Sequence, residues 1–154
     1  MRKRFDRELY NQVDALAKEK AKALLQTSSY NAVENPKKTQ VDLQVFNSEQ
    51  THLFNIECEV KLIWKEKDFP YESVQIPKRK EKYAILDKPT LFVMFNADQS
   101  SYLVIKSTDL VKSPCVEVPN KYVYKGEYFY QVPLNKVSFN DITKPIKEIL
   151  DVST

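Results

Sequence analysis

Two stretches of alternating side chains, Val41-Asp42-Leu43-Gln44-Val45 and Phe54-Asn55-Ile56-Glu57-Cys58-Glu59-Val60-Lys61-Leu62, constrain this chain more than any other feature. Successive side chains of a strand point to opposite faces, so a period of two marks a half-buried β-strand and fits no helix. Val41, Leu43, Val45, Ile56, Cys58, Val60 and Leu62 fall on one apolar side, and Asp42, Glu57, Glu59 and Lys61 on the other. The polar segment Asn47-Ser48-Glu49-Gln50-Thr51 reads as a hairpin connection. A loop of about four residues sets Asp42 across from Glu57 and diagonal to Glu59.

That pairing is unfavourable by itself. Two carboxylates ~5 Å apart repel by about 3 kcal/mol at an effective dielectric of ~20. A bound divalent cation reverses the sign. Three acids and one lysine leave a local charge of −2, which suits Mg²⁺ or Mn²⁺ held by oxygen ligands and water. A lysine beside the ion supplies a point charge for a phosphate or an attacking hydroxide. The competing explanation is a solvated face of an antiparallel strand, where alternating charges are routine. Aspartate is a poor strand former, however, and Asp42 sits among apolar neighbours.

This constellation resembles the PD-(D/E)xK nuclease superfamily, in which an acid on one strand and an acid-x-lysine on the next build a metal site for phosphodiester hydrolysis. Asp42 matches the first acid and Glu59-Val60-Lys61 the acid-x-lysine, and the resemblance makes the Val60 carbonyl a backbone metal ligand. In such folds a helix precedes these strands and often adds one more acid, a role for Glu8. The basic opening Met1-Arg2-Lys3-Arg4 is faintly similar to the Holliday-junction-resolvase branch. Val41 stands where the name motif has proline. The resemblance covers roughly residues 1–106 as an order of elements, and it implies a restriction-endonuclease-like central mixed sheet flanked by helices.

At 154 residues the chain is expected to be one domain, 1–154, with a core over 1–106 and a C-terminal hairpin and helix extension over 107–154. A hydrophobic content of 42% and 29% charged residues place it among folded globular chains. No apolar run approaches the ~20 residues that cross a bilayer, and no apolar signal core follows the charged N-terminus, so a cytoplasmic location and no membrane partner are expected. Cys58 and Cys115 are too few for a disulfide framework. A single histidine, His52, excludes His-based zinc sites and most His general bases, and it reads as a loop-edge residue. A single glycine, Gly126, excludes P-loops and dinucleotide fingerprints. Any chemistry must therefore run on carboxylates, lysine and metal. The net charge of +3 permits nucleic acid without demanding it.

The rest of the chain completes an α+β or mixed α/β pattern. Residues 5–26 read as an amphipathic helix, and 27–38 as a loop. The second strand is expected to continue to Trp64. Val74 to Leu86 suggests a short basic helix with Pro77 in its first turn. Thr90–Phe95 reads as a central buried strand and Tyr102–Ile105 as its neighbour. Tyr122–Tyr124 and Tyr128–Tyr130 read as a hairpin around Lys125-Gly126-Glu127, and Asp141–Asp151 as a closing helix.

The leading expectation is a Mg²⁺- or Mn²⁺-dependent deoxyribonuclease. Asp42, Glu59 and Val60 hold the metal, Glu57 and Glu8 tune it or bind a second ion, and Lys61 orients the water. Lys78, Arg79, Lys80 and Lys82 contact DNA phosphates, or else form a solvated helix face. The resemblance implies a homodimer. The alternative is a noncatalytic module that holds nucleic acid through the basic helix, or protein through the tyrosine hairpin. A structural or inhibitor protein with surface acids is the third possibility.

Overall fold

The computed structural model describes residues 7–25, 29–37, 40–120 and 123–146. The fold is mixed α+β. Helix α1 (Arg7–Ala23) leads into a meander of β1 (Asn31–Glu34), β2 (Leu43–Phe46) and β3 (His52–Val60). The chain then crosses through β4 (Ser73–Pro77), a 3-10 turn at Lys78–Lys80 and the short α2 (Glu81–Ala84) to β5 (Thr90–Phe95). Next come β6 (Ser101–Lys106), α3 (Ser107–Val111), β7 (Cys115–Asn120), β8 (Val123–Pro133) and β9 (Ser138–Asp141).

Six strands form one sheet in the order β1-β2-β3-β5-β6-β9, and three form a second, β4-β8-β7. Among the described residues only β3 and β5 run parallel, so the crossover between them carries β4 out to the second sheet and back. All six side chains of β5 are buried, as its unbroken apolar run requires of a strand covered on both faces.

The six-stranded sheet is the middle layer. On one face, Leu43, Val45, Ile56, Cys58 and Val60 pack with Ala17, Ala21 and Leu25, whose helix lies close because alanine has little side chain to hold it off. On the other face, Phe92, Met94 and Leu103 pack with Trp64 and with Val74, Ile76 and Val132 of the second sheet. No helix among the described residues is long and apolar enough to cross a membrane.

Several sequence expectations need correction. Strand β3 stops at Val60 instead of running to Trp64: Lys61 N–H donates to Phe95 O at 2.8 Å, and Trp64 N–H closes a turn on Lys61 O at 3.0 Å. The turn buries the Trp64 indole completely and leaves Leu62 half exposed. Burying that large ring outweighs prolonging the strand. Val74 and Ile76 belong to β4, pairing with Val132 and Tyr130, because a residue preceding proline avoids the helical region; the basic helix begins only after Pro77. Residues 31–34, expected in a loop, form the largely exposed edge strand β1, recruited by the free side of β2.

The tyrosine hairpin is also corrected. Val123–Pro133 is a single strand whose partner is Cys115–Asn120, and the connection at 121–122, with Tyr122, lies outside the described residues. Gly126 is no turn apex. It lies within β8 at φ +78°, beside the register shift at Val118–Asn120. Asp141 ends β9 instead of opening a helix; helix appears at Ile146, and 147–154 lie outside the described residues. Residues 107–146 are thus not an appendage: β8 holds β4, and β9 extends the six-stranded sheet beside β6.

Candidate active site

The β2–β3 ladder follows the anticipated register, with Leu43 opposite Ile56, which brings Asp42 opposite Glu57. A five-residue connection between Phe46 and His52 is accommodated by a bulge at Val45–Phe46. At Asp42 the strands stop exchanging backbone hydrogen bonds and side chains take over. Cys58 N–H donates to Asp42 Oδ2 at 3.0 Å, and Asp42 N–H donates to Glu57 Oε1 at 3.1 Å. Asp42 therefore has a structural duty, accepting the N–H that a longer β2 would have satisfied with a carbonyl. That duty uses Oδ2, and the Asp42 carboxylate also shares a side-chain hydrogen bond with the Glu57 carboxyl.

Asp42, Glu57 and Glu59 line one pocket of about 250 Å³, together with Val60, Asp14 and Lys80. The pocket lies beside the end of β3, beyond the start of β2, where Cys58 and Val60 of the apolar face line it together with the acids. Glu57 is buried, and its carboxyl is pushed up to about 8 by loss of solvation and then by the charge of Asp42, against the pull of Lys80. Lys80 Nζ lies 3.3 Å from Glu57 Oε2. Burial pulls the Lys80 ammonium down, but Glu59, Glu57 and Asp42 outweigh it and hold its pKa above the ordinary lysine value. The Cys58 thiol, buried beneath these acids, is raised well above the ordinary range by burial and by Asp42 and Glu57, so it stays protonated as a packing group.

Lys61 is placed differently from expectation. Its Nζ pairs with Glu59 Oε1 at 3.4 Å and faces an adjoining groove of about 600 Å³, shared with Glu59, Arg79 and Lys80. Glu8 is exposed on the first turn of α1 and does not line the pocket; Asp14, further along the helix and bridged to Lys18 at 3.0 Å, does. The four basic residues expected to form one phosphate row diverge. Lys78 Nζ stands 6.0 Å from the centre of the Tyr128 ring, Arg79 Nε 3.7 Å from Glu127 Oε1, and Lys82 Nζ 5.1 Å from the Tyr83 ring centre. Arg79 reaches the rim of the acid pocket, and Lys80 turns inward to pair with Glu57.

Asp14 and the inward Lys80 were the residues missed from sequence. Lys80, Tyr83 and Ala84 follow at helical spacing, and all three are partly buried, a pattern that separates Lys80 from Lys78 and Arg79. Nothing local distinguishes Asp14 from any other helix acid with a lysine four residues on.

The donors are hard oxygen ligands of the kind that hold Mg²⁺ through one or two carboxylates, with water completing the shell. Among the described residues, no three His, Cys, Asp or Glu side chains form a ready-made cage. The donor chemistry fits a hydrated, two-carboxylate ion and does not fit a closed structural site. On the far side, a cavity of about 310 Å³ adjoins the acids through Gln40 and Tyr83, with Gln44, His52 and Asn55 in its wall. His52 Nε2 lies 2.8 Å from Asn55 Oδ1, so the only histidine braces this wall. Comparison with protein-family models and with curated protein sequences finds no match for this chain.

Proposed function

We propose that the chain is a metal-assisted phosphodiester hydrolase acting on DNA, with Asp42 and Glu57 as its carboxylate pair and Lys80 as its ammonium. The observation that carries this reading is the gathering of Asp42, Glu57 and Glu59 around one pocket with the partly buried Lys80. A buried carboxylate such as Glu57 facing a second one is costly unless a proton or a cation compensates it. The order of elements agrees: a helix, an acid where β2 begins, and acid-x-lysine where β3 ends.

A bound Mg²⁺ or Mn²⁺ supplies charge compensation and a water of lowered pKa, which removes the need for a histidine base. Asp42 would hold the ion through its carboxylate, which Cys58 N–H orients. Glu57, once its proton has passed to solvent, would be the second carboxylate to hold the ion, and Lys80, kept charged by the surrounding acids, would neutralise negative charge on the phosphate. Glu59, the Val60 carbonyl and Lys61 stand where the pocket opens into the groove and complete the ligand and phosphate contacts. Glu8 has no part in this arrangement.

Purified protein with Mg²⁺ or Mn²⁺ is expected to cut linear, single-stranded or branched DNA. Asp42→Asn should abolish cutting, and Lys80→Ala should reduce it by at least about 100-fold, since one preorganised charge contact typically supplies that much. No cutting of any of these substrates across a concentration series removes the reading.

One observation favours a second reading, a noncatalytic module: the Lys80 ammonium already provides Glu57 with a cation. Such a module binds no metal, and Mg²⁺ leaves its thermal stability unchanged. The hydrolase is stabilised by Mg²⁺ according to mass action and loses that response in Asp42→Asn.

A further inference from the structure

Beyond the acid pocket, the adjoining groove pairs aromatic rings with cations. Phe69, Tyr71 and Phe129 line it together with Lys61, Arg79 and Lys80. Phe69 and Tyr71 meet edge to face at 5.9 Å, and Phe69 is braced from below by Trp64 at 5.5 Å. Tyr71 is 53% exposed, so its ring is presented to solvent rather than spent on the core. This groove and the acid pocket share Glu59, Arg79 and Lys80, while the amide-lined cavity meets the acids from the other side. The acids thus lie between two neighbouring recesses.

We propose that these adjoining recesses take an unpaired nucleic-acid strand, with bases stacked on Tyr71 and its neighbours on one side of the scissile phosphate and a base edge against Gln44 on the other. The proposal rests on the hydrolase reading and names its substrate class. Ring faces accept any base once it is out of the duplex stack, and side-chain amides read base edges. Duplex recognition instead needs an element that protrudes into a groove, and this site is a recess. Glu59 and Glu72 also line the groove, so stacking carries more of the affinity than charge does, and the salt dependence is shallow.

The test is fluorescence anisotropy of the full chain with labelled oligothymidylate, oligouridylate and a blunt DNA duplex, in Ca²⁺ buffer. Single strands should bind at least tenfold tighter than the duplex, and the two homopolymers distinguish DNA from RNA. Tyr71→Ala should weaken single-strand binding about tenfold, within the range of one lost base stack, and Tyr71→Phe should restore it. Duplex binding equal to or tighter than single-strand binding overturns the proposal, as does a Tyr71→Ala variant that binds like wild type. Tyr71-dependent single-strand binding without cleavage in Mg²⁺ would sink the hydrolase reading alone. Cleavage with a duplex preference would sink this inference alone.

Discussion

At the scale of single residues, Glu57 is the most informative group. Burial raises its carboxyl from 4.5 to about 8, so the folded state holds a proton that the unfolded chain releases at lower pH. Its contribution to stability is complete below pH 4.5 and is lost as pH rises through about 8. Denaturant unfolding between pH 5 and 9 should show wild-type stability falling over that interval. Glu57→Gln, neutral throughout, should show a smaller fall; identical pH profiles would mean that Glu57 is ionised in the folded protein. Asp42 and Glu57 were legible in the sequence because strand alternation is a local property and fixes which face a side chain takes. Lys80 and Asp14 were not, since their place depends on how a crossover and a helix dock, which is settled by distant packing. The structural duty of Asp42, accepting Cys58 N–H, was equally hidden: it arises only because β2 begins two residues later than the apolar pattern does.

At the scale of elements, strands with strong periodicity were readable, and those made by pairing were not. β2, β3, β5 and β6 have apolar patterns of their own, whereas β1 and β9 are short edge strands held by their neighbours' free backbone groups. Val74-Gln75-Ile76 alternates as a strand should, yet the basic run after Pro77 drew attention toward helix. Gly126 was mistaken for a turn because glycine most often marks one. Here it relieves a bulge: a Cβ at this position would meet Val118 O at 2.8 Å, and φ is +78°. Gly126→Ala is therefore expected to destabilise the protein by more than about 1 kcal/mol, combining left-handed strain with a backbone clash. Chemical denaturation measures this directly, and an unchanged midpoint would contradict the bulge assignment.

At the scale of the whole molecule, one sheet serves two cores, and the candidate site lies beside the end of β3, between α1 and the crossover. β4 delivers Lys80 to the acids only because β8 holds β4 in place. Removing residues 107–154 should therefore abolish cooperative unfolding, since Tyr130 and Val132 help close the core around Trp64 and Phe92. A 1–106 fragment with a sharp thermal transition would contradict this. The same integration makes the site a property of the entire fold: α1 brings Asp14, β2 and β3 bring the acids, and the crossover brings the lysine.

The most direct test of the central claim is a Mn²⁺ titration of the full chain at pH 8, followed by electron paramagnetic resonance. A carboxylate pair built to accept a cation predicts saturable Mn²⁺ binding that weakens on lowering the pH, as Glu57 retains its proton, and that disappears in Asp42→Asn. Absence of saturable binding at millimolar Mn²⁺, or binding that Asp42→Asn leaves intact, would contradict it.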